Sequence, residues 1–165
     1  MKINDNVFGE LEYNYSWSKV SNINFNNKEI EVTVLVAGDE EANFEQDQID
    51  AYKLFLKEWD NIQEEIIVSI LDYYQNKRAE LGFDIELNTN YPKITAVKDT
   101  IEYITLAGIK IPYEEVYGGR SIGIRFDCTW DTENGISIRL CDEKVIAVGY
   151  QNIAIWLDYD YQENK

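Results

Sequence analysis

Arg120-Ser-Ile-Gly-Ile-Arg-Phe-Asp-Cys-Thr-Trp-Asp-Thr-Glu-Asn-Gly-Ile-Ser-Ile-Arg-Leu-Cys141 is the stretch that decides the fold. Ile122, Ile124, Phe126, Cys128 and Trp130 fall at every second position, and the alternation resumes at Ile136, Ile138 and Leu140. A period of two marks a strand with one buried face, so the stretch reads as a hairpin. Both apolar sets are even-numbered. A two-residue Asn134-Gly135 turn would pair even positions with odd ones and set apolar side chains against charged ones, because a slip of one residue turns a strand over. The pattern therefore predicts a three-residue loop, Glu133-Asn134-Gly135, with Gly135 in the left-handed region of a type I turn with a G1 bulge.

That register has consequences for the polar face. Cys128 points to the core and Cys141 to the opposite face, which disfavours a disulfide between them. Asp127 is expected opposite Cys141, Thr129 opposite Arg139, and Asp131 opposite Ser137, leaving Arg139 diagonally between two carboxylates. The plain reading is a solvated cross-strand charge ladder. The sharper one is a recognition or small-ligand site built on Asp127, Asp131 and Arg139. A calcium loop at Asp127-x-Thr129-x-Asp131 is excluded: Thr132 stands where such a loop needs glycine, and no bidentate glutamate closes it. No metal site is expected here.

Outward from the hairpin, Leu106–Pro112 and Lys144–Gly149 also read as strands, bounded by turn residues. Toward the N-terminus, Val7–Tyr15 alternates in part, Asn26-Asn27 marks a turn, and Glu29–Val36 is a β-branched strand. Between these strand groups lies a long helical pattern, roughly Phe44 to Glu80, with apolar residues at Tyr52, Phe55, Leu56, Trp59, Ile62, Ile66, Ile70, Tyr73 and Tyr74. Asn43 and Gln46 have the spacing of a capping box, and Gly82 supplies a left-handed stop. A straight helix of this length would span ~55 Å, against an expected radius of gyration of about 15 Å, so the pattern predicts that it protrudes, bends or breaks. Ile94, Val97, Ile101 and Ile104 predict a second, short helix. Strands, helices, then strands again give an α+β class: a largely antiparallel sheet packed against one long and one short helix, in a single domain over residues 1–165.

Composition bounds function. Hydrophobic residues are 45% of the chain, enough for a core. With no histidine, neither histidine general-base catalysis nor a histidine metal site is available, and neither cysteine has an imidazole to activate it. The formal net charge of −16 opposes binding to nucleic acid or to an anionic membrane surface. No apolar run approaches the ~20 residues of a membrane span. No secretory signal follows Met1-Lys2, so a soluble cytoplasmic protein with reduced thiols is expected.

Acidity is unevenly spread. From Asp39 to Glu80 there are twelve acidic and four basic residues, which is half of the net charge. Asp39, Glu40, Glu41, Glu45 and Asp47 crowd the helix start, where the helix dipole favours anions. The dipole does not account for Asp60 and Glu64, like charges four residues apart that oppose helix formation. They are the candidate partner-binding residues of an acidic surface that a basic protein would meet. Tyr117-Gly-Gly-Arg120 precedes a strand rather than a helix and reads as a turn, not an anion loop. Glu114-Glu115 carries no spacing that specifies acid–base chemistry. No catalytic residue and no cofactor is expected, so an enzyme is the lesser reading. A subunit that self-associates is a third.

Three stretches, Gly123-Ile-Arg-Phe-Asp-Cys-Thr-Trp-Asp, Glu133-Asn-Gly-Ile and Lys144-Val-Ile-Ala-Val-Gly-Tyr-Gln-Asn-Ile-Ala154, with a weaker one from Gln46 to Phe55, resemble an uncharacterised family of small bacterial intracellular proteins. Domains related to it look like those among the immunity proteins of bacterial toxin systems, which bind and neutralise a cognate toxin. The resemblance implies a protein-binding role and brings no catalytic residues with it.

Overall fold

The computed structural model describes residues 1–113 and 119–149. The strands are β1 (Lys2–Asp5), β2 (Gly9–Tyr13), β3 (Trp17–Phe25), β4 (Lys28–Val36), β5 (Ile104–Ile111), β6 (Ser121–Cys128), β7 (Ile136–Cys141) and β8 (Lys144–Gly149). Among the described residues they form one sheet in sequence order, β1 through β8. Neighbours are antiparallel except β4 and β5, which are parallel. A parallel pair needs a crossover connection. Here α1 (Gln46–Glu80) supplies it, followed by a helical turn, α2 (Val97–Thr100), and a 3-10 turn, Ile101–Tyr103.

The largely antiparallel α+β expectation therefore describes the fold, with one parallel junction added. At that junction Ala37 N donates to Ile111 O at 2.9 Å. The buried Gln48 of α1 donates through Nε2 to Ala37 O at 2.8 Å and to Ile111 O at 3.3 Å. One amide thus satisfies carbonyls where both parallel strands end, so a polar residue is tolerated at 1% exposure.

The core lies between α1 and one face of the sheet. Phe55, Ile66, Ile70 and Tyr74 of the helix share it with Trp17, Val34, Ile109, Ile111, Ile124, Phe126 and Ile138 of the strands. Each such side chain contributes roughly 1.5–3 kcal/mol on burial, which more than offsets the unfavourable carboxylate spacing on the outer face of α1.

One expectation is narrowed and two are corrected. First, α1 is unbroken over 35 residues, about 52 Å of helix. Its last turns do not stand free, because Tyr74 and Arg78 are buried against the returning chain: Tyr74 stacks on Tyr91 with centroids 6.3 Å apart, and Arg78 Nε donates to Tyr91 O at 2.8 Å. Second, the cap is Glu45 with Gln48, not Asn43 with Gln46: the Glu45 amide donates to Gln48 Oε1 at 2.9 Å. Asn43 is engaged instead with Asp39 and Glu41.

Third, the hairpin pairs in a different register. Cys141 lies opposite Ser121 rather than Asp127, and Phe126 pairs with Ile136. The displacement is even, so every apolar side chain stays on the predicted face, and Gly135 keeps its positive φ of 62°. The loop is longer than three residues because Trp130 leaves the strand to pack on Tyr74, ring centroids 4.4 Å apart. Asp131 then closes the loop, its Oδ1 accepting from Asn134 N at 3.1 Å and its backbone carbonyl from Gly135 N at 3.0 Å.

β1 and β3 were not read from the sequence. Trp17, Ile23 and Phe25 of β3 are buried, but Lys19 interrupts the odd-numbered set, and its ammonium reaches Phe8 O. Tyr15, read with Leu11 and Tyr13 as one strand face, is a turn residue at φ 65° and is exposed.

Candidate functional site

Asp60 and Glu64 lie on the solvent side of α1, both exposed. They line a shallow cavity of about 370 Å³ with Asn24, Asn26, Asn27 and Gln63, beside the β3–β4 turn. Asn26 and Asn27 have φ of 51° and 61°, as a two-residue hairpin turn requires, which bears out the turn read at Asn26-Asn27. Gln63 Nε2 donates to Asp60 Oδ1 at 3.4 Å and Asn26 N donates to Gln63 Oε1 at 3.0 Å, so the turn and the helix hold each other in register.

A second acidic group lies on the opposite flank of the helix. Glu58 and Glu65 line a cavity of about 280 Å³ with Leu54, Ile62, Asp142 and Glu143. Glu65 Oε1 accepts from Val145 N at 3.1 Å, tying α1 to the edge strand β8. Asp142 and Glu143 form the β7–β8 turn at φ 48° and 64°. Positive φ is uncommon for a glutamate, and here Arg120 holds it: Nε and Nη2 each donate to a Glu143 carboxylate oxygen at 3.1 Å. The hydrogen bonds and charge of Glu143 keep the Arg120 guanidinium protonated, its pKa raised.

Among the described residues no ion pair engages Asp60, Glu64, Glu58 or Glu65. Their charge is not consumed internally. Asp142 and Glu143 belong to this acidic surface and were missed from the sequence. The available signal was Cys141-Asp-Glu-Lys144, a two-residue turn read only as a strand boundary.

The three hairpin residues do not converge. Arg139 pairs with Gly123. Asp127 lies four residues further along β6, about 13 Å at strand rise, opposite Thr105. Asp131 sits at the other surface of the sheet, lining a cavity with Tyr73 and Lys77 of α1. Glu114-Glu115 and Tyr117-Gly118 lie outside the described residues, as does the end of the Val-Gly-Tyr-Gln stretch from Tyr150 onward.

The cysteines differ as expected. Cys128 is buried and Cys141 only partly so, and neither is in a disulfide. Burial pushes the Cys128 thiol up to about 11. No helix is long and apolar enough to cross a membrane, and no group of three His, Cys, Asp or Glu side chains gathers as metal ligands, both among the described residues. Residues 7–155 match a family described as a domain of unknown function, DUF6985. No curated protein and no solved structure matches the chain.

Proposed function

The chain belongs to the DUF6985 family, and from that premise we propose that it is an acidic protein-binding domain, an immunity-type inhibitor that docks on a basic toxin. One observation carries this reading. The carboxylates of Asp60, Glu64, Glu58 and Glu65 line the flanks of α1, and no ion pair among the described residues neutralises them. Unneutralised like charges oppose each other, and a cationic partner surface turns that repulsion into fast, selective association. Leu54, half-buried beside Glu58 and Glu65, offers apolar contact next to the charge, as interfaces require. The likeness of Gly123–Asp131, Glu133–Ile136 and Lys144–Ala154 to an uncharacterised bacterial family, whose related domains look like those among immunity proteins, supports the same reading.

The test is binding to the product of the adjacent reading frame, measured at 50 mM and 500 mM salt. Affinity is expected to fall with salt and to drop at least tenfold in a D60K/E64K variant of unchanged Tm. Equal affinity for wild type and variant at both salts overturns the reading. The alternative, a small-ligand site or enzyme on Asp127, Asp131 and Arg139, predicts loss with Asp131→Ala and indifference to the helix variant, but the register removes the proximity on which it rested.

A further inference from the structure

The segment between α1 and α2 carries the two most exposed large aliphatic side chains among the described residues, Ile85 at 92% and Leu87 at 98% exposure. Single exposed apolar residues are ordinary on a protein surface. These two are set on the rim of a cavity of about 450 Å³, whose other walls include Phe83, Tyr91, Pro92 and Ile94. Apolar knobs and an apolar hole thus share one patch.

The loop is held in this form without a partner. The amides of Ile85 and Glu86 both donate to Gly82 O at 3.1 Å, and Tyr91 N donates to Asn88 O at 3.0 Å. Phe83 packs on Tyr91 with ring centroids 4.8 Å apart, and Asp84 pairs with Arg78. A surface shaped before contact loses little ordering entropy on association.

Charge selects the occupant. From Lys77 to Lys98 there are four basic and three acidic residues, in a chain whose net charge is −16. A second strongly acidic molecule meets least repulsion here, and a basic one finds no excess charge to prefer. Glu86 and Lys93 are both exposed at the cavity, and no ion pair among the described residues engages either. A two-fold contact sets one patch against itself and therefore needs self-complementarity. This patch offers a knob and a hole, an anion and a cation.

We propose that it is a homodimer interface between two copies of this chain. Ile85 and Leu87 of each copy fill the cavity of the other, and Glu86 of each meets Lys93 of the other. From Asp60 to Glu80 the helix advances about 30 Å, so this contact is separate from the acidic surface around Asp60 and Glu64.

The experiment is sedimentation equilibrium of the full chain from 5 to 500 µM, in 50 mM and 500 mM sodium chloride. A monomer–dimer equilibrium is expected, at least threefold tighter at high salt, because salt screens the repulsion between two molecules of like net charge. Association with a basic protein has the opposite salt dependence, so the two readings fail separately. I85S/L87S is expected to weaken the dimer at least tenfold at unchanged Tm. K93E should weaken it at least threefold, and E86K/K93E should restore it. A wild type that stays monomeric throughout both series overturns the proposal. So does a dimer that I85S/L87S leaves intact, which would place the interface elsewhere.

Discussion

Glu65 and Val145 are joined by a hydrogen bond across 80 residues of sequence, the helix carboxylate accepting the strand amide at 3.1 Å. An edge strand leaves a row of unpaired amides, and this carboxylate covers one of them. Glu65→Ala is expected to cost about 1 kcal/mol, the scale of one exposed hydrogen bond. It should also raise the hydrogen-exchange rate at Val145 more than at Ile138 in the sheet interior. Unchanged exchange at Val145 would show that the contact does not persist in solution.

Gly135 is the position where a methyl group is least tolerable. Its φ is 62°, and a Cβ would approach Phe126 O to 2.6 Å. Gly135→Ala is therefore expected to destabilise by roughly 2–3 kcal/mol, backbone strain and collision together. Gly82 provides the control: φ is 82° but nothing lies within 4 Å of an added Cβ. Gly82→Ala should cost only about 1 kcal/mol. Chemical denaturation of both variants measures the difference.

Arg78 fastens the segment that follows α1. Its guanidinium is buried, bonds Tyr91 O and pairs with Asp84. Arg78→Ala removes this donor from the half-buried Tyr91 carbonyl and the partner of Asp84, and is expected to cost about 2–3 kcal/mol. The 83–94 segment should then become the first site of proteolytic cleavage, detected by mass spectrometry of the fragments.

Alkaline pH should unfold the protein through two buried acids. Burial raises the Cys128 thiol to about 11 and the Tyr74 phenol to about 12. Each group binds its proton more tightly when folded, so the unfolded state ionises first and stability falls as pH rises. The decline should begin near pH 9 with Cys128 and continue to about pH 12 with Tyr74. Cys128→Ala should delay its onset to about pH 10, the ordinary phenol range. A Tm that stays flat from pH 9 to 11 in the wild type would contradict this.

Asp127 and Arg139 should be energetically independent. With Arg139 paired to Gly123 and Asp127 to Thr105, a double-mutant cycle of Asp127→Asn and Arg139→Gln should return a coupling no larger than about 0.5 kcal/mol. The register expected from the alternation alone would give a larger coupling, since it sets the two on neighbouring diagonals.

The hairpin shows why parity was legible and pairing was not. Alternation reports which face each residue takes, and Ile122, Ile124, Phe126, Ile136, Ile138 and Leu140 are all buried as read. Any even displacement preserves that pattern, so alternation cannot choose among such registers. The choice was made by Trp130, whose indole packs on Tyr74 from a helix more than fifty residues earlier.

The candidate site divides the same way. Asp60 and Glu64 were legible because an i, i+4 spacing of like charges is a local cost that shows in the sequence. Asp142 and Glu143 joined the acidic surface only through the β7–β8 turn and its Arg120 clasp.

The order of residues by itself determined the strands of the hairpin, the long helix, the faces they bury and the excess of negative charge. All of these are read from periods of two and 3.6 and from composition, which are properties of neighbouring residues. Tertiary structure alone decided the parallel β4–β5 junction, the hairpin register and which charged groups meet. Those depend on contacts between residues far apart in the chain, where packing volume and hydrogen-bond satisfaction rather than local preference select the outcome.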